Sequence, residues 1–422
     1  MGGRLARLGA AGAGVLGRTA LGEVRKLGAG PERREAIDAA TREANALDVM
    51  TALAGLKGPL LKLGQFLSQQ SHTLPETWVR QLSLLQRSAP PMHGTLARLQ
   101  LRGELGRDPE EVFADFEREP FAAASLGQVH RARLATGEAL AVKIQYPGID
   151  RSIATDFGLL ERLLAVSGWS ASHPELHPVL EEVRSHMAEE TDYVREADAM
   201  EEIAGHLEDE DGLRVPRVWR GLSTQRVLTM ERLDGLHVEE FLRTGPSQEE
   251  RDRAATRLLD LFFRQTLGLG LFQADPHPGN FLFLPDGGLG LLDFGCTKRL
   301  ESGFRTGLRR LFEIPVDDQA ALTGCYVELG ILDPGSGRYG EQLALLLAMQ
   351  RLDAAKYHRA GLFDFGDASF LRALTACLHD QLRGGLAHPD FTLYVRTKLG
   401  LYNLFHQLGA RIDCRRTLER QR

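Results

Sequence analysis

The sequence predicts an α+β protein: a helical N-terminal extension, a small sheet with one long helical insertion, and a second, mainly helical lobe. Three observations carry this. Residues 36–105 place apolar side chains at helical spacing, with a break at 88-SAPPMHG-94. Two β-like runs, VHRARL and ALAVKIQ, flank the turn ATGE within residues 129–145 and read as a hairpin. A second apolar pair, in 281-FLFLPDGGLGLLDFG-295, is split by a DGG turn inside an otherwise helical region.

Residues 1–35 open with MGGRLARLGAAGAGVLGRTALG, which holds three arginines and no acid over an apolar part made mostly of Gly and Ala. That is a poor signal-peptide core and leaves three readings: a transit peptide, a membrane-surface helix or a flexible tail. Residues 36–110 form the helical extension. Within it, 60-LLKLGQFLSQ-69 sets Lys62 and Gln65 three apart on one helical face, with Gly64 between them. Glycine inside a helix costs about 1 kcal/mol relative to alanine. Residues 111–235 hold the sheet and its insertion over 150–210, and 226-RVLTMERLDG-235 reads as a buried strand passing into a polar connection. Residues 236–422 make the helical lobe.

Composition narrows the class. With 422 residues, 43% hydrophobic and 26% charged, the chain can bury a core in each of two or three domain-sized units. A formal net charge of −6 provides no basic field for nucleic acid, and aromatic and basic residues do not interleave. The four cysteines, Cys296, Cys325, Cys377 and Cys414, lie far apart without a CxxC pair. This argues against a zinc site or disulfide framework and fits a reducing compartment. No stretch approaches the ~20 apolar residues that span a bilayer. His173 and His177 read as loop residues, and no GxSxG nucleophile signature occurs.

The chemistry concentrates in 275-DPHPGN-280 and 293-DFG-295. Asp275 and Asn280 lie five apart in a loop broken by Pro and Gly, where polar groups can converge. Asp293 follows thirteen residues after Asn280, at the end of the apolar run LGLLD. Asn and Asp supply the hard oxygens that suit Mg²⁺ beside a phosphate. A further carboxylate can orient an attacking hydroxyl or water. Asp, four residues, Asn, then DFG is the protein-kinase arrangement.

A phosphate site also needs a cation and a close backbone approach. Lys143, bracketed by Val142 and Ile144 in 141-AVKIQ-145, reads either as the exposed alternate of a strand or as the phosphate-contacting lysine of the V-A-[IV]-K pattern. The small-residue loop 122-AAASLGQ-128 stands where a kinase carries its glycine-rich loop. Ala122, Ala123, Ala124 and Ser125 permit close approach on a stiffer backbone than polyglycine, and Met230 completes the nucleotide-binding set. The stretch 189-EETDYVREADAMEE-202 offers acidic partners for Lys143. On one continuous helix Glu189, Asp192 and Glu196 share a face, and Glu190 points away from Asp192.

With these residues the chain resembles the AarF/UbiB family of atypical protein-kinase-like proteins, linked to biosynthesis of ubiquinone and related prenyl lipids. The resemblance covers about residues 45–300. The hallmark K-x-G-Q appears as Lys62-Leu63-Gly64-Gln65, and the alanine-rich nucleotide loop as Ala122–Ser125. Lys143 matches the strand lysine, Glu190 and Asp192 the E-x-D motif, and Glu196 the glutamate that pairs with the lysine. Asp275 and Asn280 match the catalytic-loop pair and Asp293 the metal-binding aspartate. Two features depart: Gln273 stands where ordinary kinases place His, and the end, 409-GARIDCRRTLERQR-422, is polar and basic instead of membrane-spanning. No APE motif follows Asp293.

The resemblance implies a two-lobed protein-kinase-like fold with a family-specific helical extension. It implies an Mg²⁺-dependent ATPase or phosphotransferase that binds ATP or ADP and supports ubiquinone or other isoprenoid-lipid metabolism. Lys143 and Asp275 are its catalytic residues, Asn280 and Asp293 its metal ligands. Lys62, Gly64 and Gln65, with Glu190 and Asp192, form a gate over the nucleotide. The rival readings are a nucleotide-binding pseudokinase scaffold and a small-molecule kinase of the aminoglycoside-phosphotransferase type. The implied partners are the nucleotide, a membrane surface, prenyl-quinone precursors or lipid-biosynthesis proteins, and no nucleic acid. The expected setting is cytoplasmic, peripheral at a membrane surface, with organellar targeting by the N-terminal tail left open.

Overall fold

Residues 127–133 and 139–145 pair as one antiparallel hairpin in the computed structural model of the chain, with Val129 opposite Lys143. The structure describes residues 92–124, 126–166, 187–207, 212–367 and 388–421 as continuous runs, with isolated positions within 14–44, 181–185 and 369–372. The chain divides into two compact units, Met1–Tyr193 with Arg220–Thr229, and Val194–Trp219 with Met230–Arg422.

In the first unit, α1 (Gly94–Leu105) packs Ala97 and Leu101 inward against the sheet and stops at Gly106, whose φ of +70° closes the C-cap. A short turn of helix, α2 (Pro109–Val112), leads into the strands: β1 (Asp115–Phe116), β2 (Ala122–Ala124), β3 (Gly127–Arg133) and β4 (Ala139–Gln145). β1 and β2 occupy successive stretches of one edge of β3, and β4 lies on its other edge. The alanines expected in a loop are therefore a strand. Their backbone groups pair with β3, from Ala122 opposite Val129 to Ala124 opposite Gly127, and Ser125 lies outside the described residues.

A polar line crosses this unit. Met92 exchanges both backbone groups with the Gln128 amide, at 2.7 and 3.2 Å, and Gln128 Nε2 also donates to His130 Nε2 at 2.8 Å. His130 must then carry its proton on Nδ1, which donates to the Glu117 carbonyl at 2.8 Å. Burial pushes the His130 pKa down, in keeping with a neutral ring. This line ties Met92, in the N-terminal extension, to the sheet.

The insertion does not run as one helix. After α3 (Ile149–Val166), helical residues 187–190 end at Thr191 and Asp192, and a new helix, α4 (Tyr193–Ala204), starts. Thr191 turns its hydroxyl back onto the Ala188 carbonyl at 2.6 Å, while Gln145 Nε2 takes the Thr191 carbonyl at 2.6 Å. The Tyr193 N–H goes to the Gln225 carbonyl. These bonds replace those of a continuing helix, so Glu189, Asp192 and Glu196 do not share one helical face.

The second unit takes up α4 from Val194. It contains a three-stranded sheet, β5 (Leu213–Arg214) parallel to β9 (Leu289–Leu291), and β8 (Phe281–Phe283) antiparallel to β9. β6 (Val227–Glu231) ends here, with Met230 bridging to Val218. After α5 (Val238–Arg243), Ser247 and Glu250 form the capping box that starts α6 (Gln248–Phe263). A π-helical turn over Arg264–Leu269 follows and is closed by Gly270, φ +77°. β7 (Leu271–Gln273) and β10 (Thr297–Arg299) pair antiparallel.

Among the described residues four longer helices follow: α7 (Ser302–Glu313), α8 (Gln319–Glu328), α9 (Tyr339–Tyr357) and α10 (Pro389–Leu408). The last is entered at Pro389, ended by Gly409 in the left-handed region, and buried on most of its circumference. β11 (Phe363–Asp364), β12 (Arg411–Ile412) and α11 (Cys414–Glu419) complete the unit. Phe263, Phe272, Phe294, Tyr326, Tyr402 and Phe405 form its core. Among the described residues no helix is long and apolar enough to cross a membrane.

Candidate active site

In the first unit the candidate nucleotide elements are the β2–β3 hairpin and Lys143. β4 is buried along both faces, so Lys143 is 6% exposed and not the solvated alternate of an edge strand. Its Nζ lies 5.0 Å from the centre of the Tyr193 ring, a cation–π contact. Gly127 starts β3 where no side chain fits: an added Cβ would lie 3.0 Å from Tyr193 Oη and from the Ile144 carbonyl carbon, and nearer still to that carbonyl's oxygen. Ala122 and Ala123 are exposed and Ala124 is half-buried. Glu190 is the last helical residue before the break, and Asp192 lies in it; both are half-buried. Lys62, Gly64 and Gln65 lie outside the described residues.

In the second unit the loop after β7 is built from its backbone outward. The Ala274 N–H donates to the Cys296 carbonyl at 2.8 Å, which holds the loop beside the DFG segment. Pro276 and Pro278 remove two donors and fix the turn, with Pro278–Asn280 as one turn of 3₁₀-helix. Asp275 Oδ1 accepts from the His277 N–H at 3.3 Å, and His277 Nδ1 accepts from the Gly279 N–H at 3.0 Å. Asn280 is buried and donates Nδ2 to the Asp275 carbonyl at 3.1 Å, which leaves Oδ1 as the oxygen it could offer a cation.

The hairpin of β8 and β9 then returns the chain to Asn280: the Leu292 N–H donates to the Asn280 carbonyl at 2.8 Å. Asp293 therefore stands next to Asn280 although thirteen residues separate them. Asp293 holds φ +54°, the one non-glycine residue with positive φ among those described. Three hydrogen bonds hold this segment. Asp293 Oδ1 accepts from the Gly295 N–H at 3.1 Å, and Gln273 Nε2 donates to the Leu292 and Asp293 carbonyls, both at 2.6 Å. Glu196, 4% exposed, accepts the Phe294 N–H through Oε1 at 3.3 Å, so α4 grips the same segment. Glu202 of α4 meets Arg299 of β10 at 2.7 Å.

The structure thus gathers Asp275, Asn280, Asp293 and Glu196 in the second unit, and Lys143 with the alanine strand in the first. Met230 lies half-buried in β6. Asn280 and Asp293 fit Mg²⁺: one amide oxygen and one carboxylate, with remaining positions for phosphate oxygens and water. Among the described residues no three His, Cys, Asp or Glu side chains converge as an all-protein metal cage. Sequence reasoning passed over Tyr193 beneath Lys143 and the tight seat of Gly127. The first was visible as an aromatic directly after E-x-D, the second as the lone glycine of the alanine loop.

The chain is similar to several known proteins. The profile of the ABC1 atypical kinase-like domain matches residues 84–323, more than half of the chain. AarF domain-containing kinase 1 of Drosophila melanogaster is 33% identical over 282 residues, covering 65% of this chain and 54% of that protein. The mitochondrial atypical kinase COQ8B of Rattus norvegicus is 31% identical over 432 residues, covering 98% of this chain and 78% of that one. The chain spans about half the length of several of its curated relatives, 45% and 49% of two Synechocystis proteins. The solved complex of Rv3197 with erythromycin from Mycobacterium tuberculosis has a similar fold, with a TM-score of 0.65 and 28% identity over 92% of this chain and 97% of that one. The fold is kinase-like, and the chain belongs to the ABC1 family of atypical kinase-like proteins, the group of the AarF-type kinases and COQ8B.

Proposed function

We propose that the protein is an Mg²⁺-dependent ATPase or phosphotransferase that supports ubiquinone or other isoprenoid-lipid metabolism. The observation that carries this is the junction of Asn280 and Asp293 across one hairpin, with Asn280 also bound to the Asp275 backbone. Lys143 binds the α- and β-phosphates, Asn280 and Asp293 hold the metal, and Asp275 orients the attacking water or hydroxyl. Bound Mg²⁺ supplies charge neutralisation on the phosphates; positioning supplies the rest. The K-x-G-Q segment, Lys62 to Gln65, gates the nucleotide together with Glu190 and Asp192. Action at a membrane surface on prenyl-quinone precursors, or beside lipid-biosynthesis proteins, follows from the family resemblance.

A second reading is phosphorylation of a soluble small molecule. It draws on the similar protein whose solved structure is an erythromycin complex.

The test is thermal unfolding and phosphate release with Mg-ATP, for wild type and Asp293→Asn. Ligand at 100 times its Kd stabilises the fold by about 2.7 kcal/mol. Wild type is expected to shift and to release phosphate, and Asp293→Asn to lose the release. A wild type that does not shift would remove the nucleotide reading. A shift without turnover, even with membranes or phenolic precursor mimics, would leave a scaffold, and transfer to an added macrolide or aminoglycoside would favour the second reading.

A further inference from the structure

The loop that carries Asp275 is held locally by hydrogen bonds among Asp275, His277, Gly279 and Asn280, but Pro276 and Pro278 donate none and the rest of its support is external. Support comes from a helix far along the chain, within the same unit. Thr397 of α10 is 2% exposed and donates its hydroxyl to the Ala274 carbonyl at 3.3 Å, sharing it with Leu393 at 2.9 Å. One turn further, Gly400 lies against Pro276. A Cβ added at Gly400 would fall 2.8 Å from Pro276 Cβ and closer to its Cγ, nearer than real Cβ atoms approach. Glycine costs a helix interior about 1 kcal/mol, and here the missing side chain is the space that Pro276 fills.

The same helix is fixed on two other sides. Asp390, in its first turn, meets Lys298 of β10 at 3.2 Å, and the buried Lys398 pairs with Asp353 of α9. α10 therefore touches the backbone just before Asp275 and the strand just after the DFG segment. It does so from residues beyond 84–323, the span matched by the ABC1 domain.

We propose that α10 is a positioning element of the candidate active site, and that Gly400 and Thr397 set where the loop presents Asp275. Its effect on turnover rests on the phosphoryl-transfer reading; its effect on the loop does not. The experiment compares wild type, Gly400→Ala, Thr397→Val and Thr397→Ser by two readouts. The first is deuterium exchange of residues 274–282 without nucleotide, and the second is kcat and KM for phosphate release from Mg-ATP.

Gly400→Ala is expected to speed exchange in this loop by about tenfold. It is also expected to lower kcat by about 10- to 100-fold, the scale of a small displacement at a reacting group, with KM for ATP held. Thr397→Val should shift both readouts the same way, and Thr397→Ser should restore them. Unchanged exchange in a folded Gly400→Ala or Thr397→Val protein overturns the proposal, as does a change confined to KM. If Gly400→Ala does not fold, the near-isosteric Thr397→Val decides, with Thr397→Ser as its control. If wild type releases no phosphate, the functional reading fails, and exchange alone judges the role of α10.

Discussion

Gln273 ends β7 and reaches across to two consecutive carbonyls, Leu292 and Asp293, while its own N–H is held by Gln265 Oε1 at 3.3 Å. A histidine can offer one ring nitrogen in that direction; the amide offers two hydrogens at once. Replacing Gln273 by Ala leaves both carbonyls without this donor, at a cost of about 1–3 kcal/mol. The expected outcome is a lower unfolding midpoint and a larger loss in kcat than in ATP affinity, measured by denaturation and steady-state phosphate release. At this scale the acidic and amide residues of the site were legible, because their spacing is itself the signal. The partners that aim them were not: nothing in the sequence says that Gln273 faces Asp293 or that Tyr193 underlies Lys143. The burial of Lys143 had a local cue in its neighbours Val142 and Ile144. Choosing between its two readings required knowing that β4 is covered on both faces.

Among the elements, α9 and α10 are joined by a buried ionic knot. Asp353 pairs with Lys356 at 3.0 Å and with Lys398, and the Tyr357 and Tyr402 hydroxyls hydrogen-bond beside it. Lys356 Nζ also lies 4.4 Å from the Phe370 ring centre and 4.7 Å from that of Tyr402. Burial alone would raise the Asp353 pKa, but Lys398 and Lys356 hold it below the usual carboxylate range, while burial lowers Lys356. The Asp353 contribution is fully present above the ordinary carboxylate pKa and is lost as the pH falls through the depressed folded value. Asp353→Asn leaves two buried lysines without their counter-charge and is expected to cost about 3–5 kcal/mol in denaturant unfolding, with a shallower acid limb than wild type. The hairpins and the helical lobe could be read from periodicity and turn residues. The break at Thr191 and the strand at Ala122–Ala124 could not, since both arise from bonds to distant groups: the Gln145 side chain and the Gln225 carbonyl in one case, the β3 backbone in the other.

For the whole molecule, the N-terminal extension is the feature that distinguishes the chain from an ordinary kinase. Within it, Met92 is gripped by Gln128, one residue beyond Gly127. The K-x-G-Q segment upstream was legible only through the family resemblance, because a lone Lys and Gln on an apolar helix carry no chemistry of their own. Lys62→Ala is expected to change nucleotide selectivity or autophosphorylation, read by competitive binding of ATP and ADP and by label transfer from γ-labelled ATP. If both match wild type, the gate is lost and Gly64 has a packing role only. At Asp293 the left-handed backbone has an evolutionary consequence. Asn and Gly tolerate that conformation with little strain, so drift at this codon can remove the carboxylate while sparing the fold. If the proposed chemistry holds, a catalytically silent descendant of this chain is one substitution away, and the same tolerance makes Asp293→Asn a clean probe of the proposal.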